Sequence, residues 1–183
     1  MLLSSKKVNI DFKAVNFTLL DVSEKHLSLN EITKKNGTVL AFICNHCPYV
    51  KDIISRIIID FAYLQSLNIG VAAIMPNDAS HYPQDSYEKM KEFAIDNKFT
   101  FPYLFDEKQE VAKTYNAVCT PDFYGFDKHN KLFYRGRLDN LKFQDRNKNR
   151  KLNLINAFKK KLAKNSTPEE QFSSIGCSIK WKV

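Results

Sequence analysis

The sequence predicts an α/β fold in which a central mixed sheet is flanked by helices, and two features of the chain carry that prediction. Short apolar runs such as residues 38–43 (TVLAFI) alternate with segments whose apolar residues recur at helical spacing. Strands and crossover helices of a layered fold leave that alternation in a chain. The runs are also continuous rather than alternating, as strands covered on both faces require. With no internal repeat or low-complexity segment, 183 residues are most simply one domain spanning 1–183. Residues 165–183 form a polar C-terminal tail packed on or near the body.

The elements follow in order. Residues 17–22 read as an early strand. Ser28 and Glu31 form a capping box for a short helix that ends at Asn36 and Gly37. Residues 38–43 form a buried central strand. Val50, Ile53, Ile54, Ile57, Phe61 and Leu64 then mark a long amphipathic helix. Residues 69–74 make a second buried strand. Asp85 with Glu88 caps the next helix, whose inward face carries Met90, Phe93 and Ala94; Asp106 with Gln109 caps another, carrying Val111, Ala112 and Tyr115. Residues 123–126 and 131–135 read as a hairpin. Leu152, Ile155, Phe158 and Leu162 give the last helix its face, and Ile179 and Trp181 pin the tail.

Composition excludes several function classes. No window holds the apolar run that a membrane span needs, and lysines interrupt the N-terminus as they would not in a secretion signal, so the expected location is cytoplasmic. The net charge of +8 comes from scattered lysines, densest at residues 146–151 and 159–161, without the interleaved aromatics of a base-stacking surface. A solvated basic face and no nucleic-acid partner follow. No glycine-rich phosphate loop is present, so no nucleotide, flavin or other cofactor is expected.

The chemistry concentrates in residues 42–51, FICNHCPYVK, where a Cys-x-x-Cys pair sits between the central strand and the long helix. Unpaired N–H groups and the macrodipole favour an anion at a helix start and lower a thiol pKa there. Cys44 is thus expected to be the exposed, low-pKa nucleophile, with Cys47 one turn in to close a disulfide. His46 is expected to stabilise the Cys44 thiolate and make the disulfide more oxidising. Zinc would want two more close ligands, whereas His26, His81 and His129 stand alone, so no metal is expected.

The chain resembles the thioredoxin-like superfamily in its redoxin branch, and specifically bacterial peroxiredoxin-like proteins bearing CNHCPYV. The resemblance runs through IMPND (74–78), YPQDSYEKM (82–90), CTPDFYGFD (119–127), YRGRLD (134–139) and IGCSIKWK (175–182). It implies a thioredoxin-like fold with an N-terminal β extension. It also gives Thr120 and Pro121 a role: a cis-proline loop against the redox pair, with an open backbone edge for an extended substrate peptide. Peroxiredoxins carry Pro-x-x-x-Thr/Ser-x-x-Cys, but Gly37 and Ala41 stand at the proline and hydroxyl positions, and no arginine occurs between Arg56 and Arg135.

The expected function is thiol–disulfide exchange on a protein disulfide or small thiol, with an external thiol reductant. The alternatives are an antioxidant, peroxiredoxin-like hydroperoxide reductase and a non-catalytic metal-binding or adaptor module. Cys119 and Cys177 are possible auxiliary thiols. Cys119 reads as a small buried hydrophobe, while Cys177 has enough chain behind it to reach the pair.

Overall fold

The computed structural model describes residues 1–7, 9–10, 12–145 and 149–183. In chain order the elements are β1 (Leu2–Ser4), β2 (Thr18–Asp21), β3 (His26–Ser28), α1 (Leu29–Ile32), β4 (Thr38–Phe42), α2 (Pro48–Ser66), β5 (Gly70–Met75), a 3₁₀ turn (Pro83–Asp85), α3 (Tyr87–Asp96), β6 (Tyr103–Phe105), α4 (Glu110–Thr114), β7 (Cys119–Thr120), β8 (Asp122–Phe126), β9 (Leu132–Gly136), α5 (Asn153–Lys164) and β10 (Ile175–Ser178). Seven strands form the central sheet in the order β3-β2-β6-β5-β4-β8-β9. The inner pairs β4–β5 and β5–β6 are parallel, while β2, β8 and β9 join antiparallel. A second sheet runs β1-β10-β7.

Side-chain alternation along β4 and β5 divides the core into two layers. Val39, Ala41, Val71, Ala73 and Met75 face α2, α3 and α5, whereas Leu40, Phe42, Ala72 and Ile74 face α1 and α4. The 19-residue helix α2 buries Val50, Ile54, Ile57, Phe61 and Leu64. Each such side chain contributes roughly 1.5–3 kcal/mol on burial, and Phe61→Ala would cost about 3–5 kcal/mol. This packing fixes where the start of α2 meets the end of β4.

The Ser28–Glu31 capping box is present, but α1 ends at Ile32 rather than at Gly37. Lys34 and Gly37 instead pair across a tight turn, and Gly37 enters β4 at φ +117°, with the Phe126 carbonyl so close that a Cβ would clash. In α5, Leu154 occupies the buried position and Leu162 is exposed. Ile179 is buried and anchors the tail, while Trp181 is 38% exposed and meets Lys113 at 5.9 Å.

The basic cluster is solvated only in part where it is described: Lys151 and Lys159 are exposed, as expected. Arg150 turns inward to Asp60 (2.6 Å) and Asp139 (2.5 Å), and Lys161 pairs with Asp127. Arg146 and Lys148 lie outside the described residues. Among the described residues no helix is long and apolar enough to cross a membrane.

Candidate active site

Beyond β4 the chain keeps its direction for one more residue, since the Ile43 N–H donates to the Ile74 carbonyl (3.0 Å). Residues 44–47 then turn into α2, with Cys47 as N-cap and Pro48 at the first helical position, where its missing N–H costs no bond. The turn is held from within. The Asn45 amide donates to the Gln84 carbonyl (3.1 Å), its Oδ1 accepts from the Tyr103 hydroxyl (2.8 Å), and the Asn45 N–H donates to Asp85 Oδ1 (2.9 Å).

Contrary to the sequence expectation, Cys44 is not exposed: both Cys44 and Cys47 show 0% exposure. The thiol of Cys44 is pushed well up, first because it donates to Cys47, then by burial and by the charge of Asp85. Cys47 instead falls from 9.0 to about 5. The Cys44 thiol is the largest cause, and burial opposes it. The Cys177 thiol and the N–H groups of Cys177 and Val50 then add to the lowering. The lowered thiol is therefore the N-cap residue, Cys47, rather than Cys44, and the neighbouring Cys44 thiol lowers it more than the helix start does, which contributes through the Val50 N–H.

Asp85 is the site residue that sequence reasoning missed. Fully buried, it does not cap α3; Ser86 does, accepting from the Lys89 N–H (3.3 Å). Asp85 faces the turn of residues 44–47 instead, accepting from the N–H groups of Asn45 and His46, from the Asn77 amide (2.8 Å) and from His46 Nδ1 (2.5 Å). Burial alone would raise its carboxyl, but these donors, His46 first, bring it below the ordinary value. An ionised Asp85 requires the proton of His46 on Nδ1. His46, partly exposed, stacks on Tyr82 at 5.9 Å. The only signal was the adjacent Asp85 and Ser86, of which one alone can cap.

The Thr120–Pro121 peptide bond is cis, and Thr120 touches both sulfurs. Cys44 Sγ lies 3.2 Å from Thr120 Oγ1, and the Cys47 thiol, when protonated, donates to the Thr120 carbonyl at 3.3 Å. The backbone edge beside Thr120 is not open, however. β10 pairs there antiparallel, with Cys177 opposite Thr120 and Ser178 opposite Cys119. A Cβ on Gly176 would meet the Thr120 carbonyl at 2.0 Å, so this approach requires glycine. The tail is fastened beyond: Asn77 Oδ1 accepts from the Lys180 N–H (2.9 Å), and the Gln109 amide donates to the Lys180 carbonyl (2.7 Å). Asn77 thus links Asp85 to the tail.

Cys119 is buried, and burial pushes its thiol well up. Arg135 is held by Asp122 (3.0 and 3.2 Å) and the Asn116 carbonyl (2.9 Å). Among the described residues, Cys44, His46 and Asp85 also place potential ligand atoms within 4.8 Å of one another, a set that could hold a metal ion.

The AhpC/TSA family model matches residues 10–135. An uncharacterized conserved protein from Geobacillus kaustophilus is 39% identical over 100% of this chain and 97% of its own, with a TM-score of 0.95. A hypothetical protein from Sinorhizobium meliloti is 30% identical over 98% of each chain, with a TM-score of 0.92. A peroxidoxin from Mycobacterium tuberculosis shares the fold at 15% identity over 70% of this chain and 85% of its own, with a TM-score of 0.59. No curated protein matches the chain. With most of its length matched, from the early strands through the hairpin, the chain belongs to the AhpC/TSA family, in the redoxin branch of the thioredoxin-like superfamily, and its class of chemistry is that of an oxidoreductase.

Proposed function

We propose that the chain is a cytoplasmic thiol–disulfide oxidoreductase whose redox pair is Cys44 and Cys47. The observation that carries the reading is that both sulfurs lie against Thr120, Cys44 Sγ 3.2 Å from its hydroxyl and Cys47 Sγ 3.3 Å from its carbonyl, with the Cys44 thiol holding the Cys47 pKa down. Such a pair releases its first proton at low pH as a unit.

In the reaction, Cys44 attacks one sulfur of a substrate disulfide while its proton passes to Cys47. The substrate S–S bond breaks, its electron pair leaving on the second sulfur, and a mixed disulfide forms. Cys47 then gives up its proton and attacks Cys44, closing the Cys44 to Cys47 disulfide and expelling the reduced substrate. The Asp85–His46 pair, beside Cys44, is suited to accept that proton, a task for which β4 carries no carboxylate. Because Cys44 is buried, attack on a substrate requires the side chains that cover it to move.

Reduction of insulin disulfides tests this directly: it is expected to vanish in Cys44→Ser, and full activity in that variant would end the proposal. A second reading, hydroperoxide reduction, draws on the Thr120 hydroxyl beside Cys44, which supplies the group missing at Ala41. Against it, Arg135 is occupied by Asp122, leaving it poorly placed to meet charge on a leaving oxygen. Rapid mixing with hydrogen peroxide is expected to oxidise Cys44 slowly; a rate like that of dedicated peroxidases would favour the second reading.

A further inference from the structure

The redox pair is sealed, yet a third sulfur connects it to the surface. Neither Cys44 nor Cys47 is exposed, while Cys177, packed against the same cluster, is partly open. β10 holds Cys177 opposite Thr120, the residue whose carbonyl meets Cys47 Sγ, with Leu2 of β1 on its other side. Gly176 brings this strand as close as backbone permits. An extended segment carrying a cysteine therefore lies where an extended substrate peptide was expected. The side chain of Cys177 packs on the cluster that contains Cys47, and each thiol perturbs the other's ionisation.

We propose that Cys177 is the outlet of a three-cysteine relay, carrying the disulfide from the buried pair to the surface of the same chain. This rests on the dithiol reading above. Once the Cys44 to Cys47 disulfide has formed, the Cys177 thiolate attacks Cys47 Sγ. The bond between Cys44 and Cys47 breaks, its electron pair leaves on Cys44, and the proton of Cys177 ends on Cys44. One disulfide replaces another, so no oxidant or reductant is consumed. An external thiol then attacks Cys177 Sγ and expels Cys47, and a second external thiol releases Cys177. The external attack suits the site because there the leaving sulfur is Cys47, held down at about 5. Cys177, raised to about 11, is a poor leaving group, which directs the external thiol to the partly open sulfur.

The experiment treats the reduced full-length protein with one equivalent of diamide, quenches in acid, digests with pepsin and maps linked peptides by mass spectrometry. A Cys47 to Cys177 linkage with Cys44 free is expected in the wild type. In Cys177→Ser the linkage shifts to Cys44 with Cys47, and reduction of the oxidised protein by glutathione slows by about tenfold or more. Cys177→Ala repeats the measurement without a hydroxyl on β10. A wild type showing only Cys44 linked to Cys47, with glutathione rates unchanged in both variants, overturns the relay and leaves the dithiol reading intact. If neither linkage forms and Cys44→Ser still reduces insulin, both are overturned.

Discussion

Cys47 and Cys119 stand on either side of Thr120, equally buried at 0% exposure, and they ionise in opposite directions. Around Cys47 gather a helix start, two thiols and two backbone N–H groups, and these donors outweigh desolvation. Around Cys119 desolvation is the largest influence and the charge of Asp122 adds to it, with Arg135 opposing only in part. Burial therefore does not decide which way a thiol's ionisation shifts in this protein. The donors aimed at it do, and the fold delivers them to one side of the cis-proline loop only.

The hardest test of that contrast is Cys47→Ser, which should abolish turnover and remove a thiolate absorbance at 240 nm whose midpoint lies near pH 5. The folded value is depressed from 9.0, so the anion's contribution to stability is complete above about pH 9 and is lost as pH falls toward 5. Chemical denaturation of the reduced protein should show the wild type losing stability relative to Cys47→Ser across that window. A flat difference would mean that no low-pKa thiol exists on this side of Thr120.

Gly176→Ala comes next. The added Cβ collides with the Thr120 carbonyl, so β10 must lift from β7, at a cost of about 1–3 kcal/mol. Iodoacetamide at neutral pH should then label Cys47 much faster than in the wild type while Cys119 stays unlabelled. Equal labelling of the two would erase the distinction. Asp85→Asn is a smaller perturbation. It removes the anion that helps to hold the Cys44 thiol up, so alkylation of Cys44 across pH should shift its midpoint downward. Loss of an ionised acceptor for four donors should lower stability by roughly 1–3 kcal/mol.

Much of this was legible in the chain. β4, α2 and β5 announce themselves because continuous apolar strands and a 3.6-residue period are local signals. The placement of the cysteine pair at a helix start, and of Thr120 and Pro121 near it, also follows from sequence and resemblance. What stayed hidden depends on non-local pairing. β10 is four residues with a glycine inside, and it exists only because residues 119–120 and 2–4 flank it. Asp85 looked like a cap because adjacent Asp and Ser differ by one residue in register, and only the Pro83 turn assigns the cap to Ser86. The expectation places the anion on the wrong cysteine for a similar reason: nothing local reveals that Cys44 is buried against Cys47, or that Asp85 from a distant segment lands beside it.

The smallest expected effect is the control for the whole comparison. Cys119→Ala removes a sulfur from the side of Thr120 that lacks donors, leaving a small gap that should cost about 1 kcal/mol. Because the Cys119 thiol stays protonated at neutral pH, its loss should leave the absorbance midpoint near pH 5 and the insulin-reduction rate unchanged. Cys119 also registers opposite Ser178 on β10, so the substitution probes whether packing behind Thr120, rather than the donors in front of it, sets the chemistry. A midpoint that moved by as much as it does in Asp85→Asn would mean that the two sides of the loop act as one electrostatic unit, and the asymmetry drawn between them would fail.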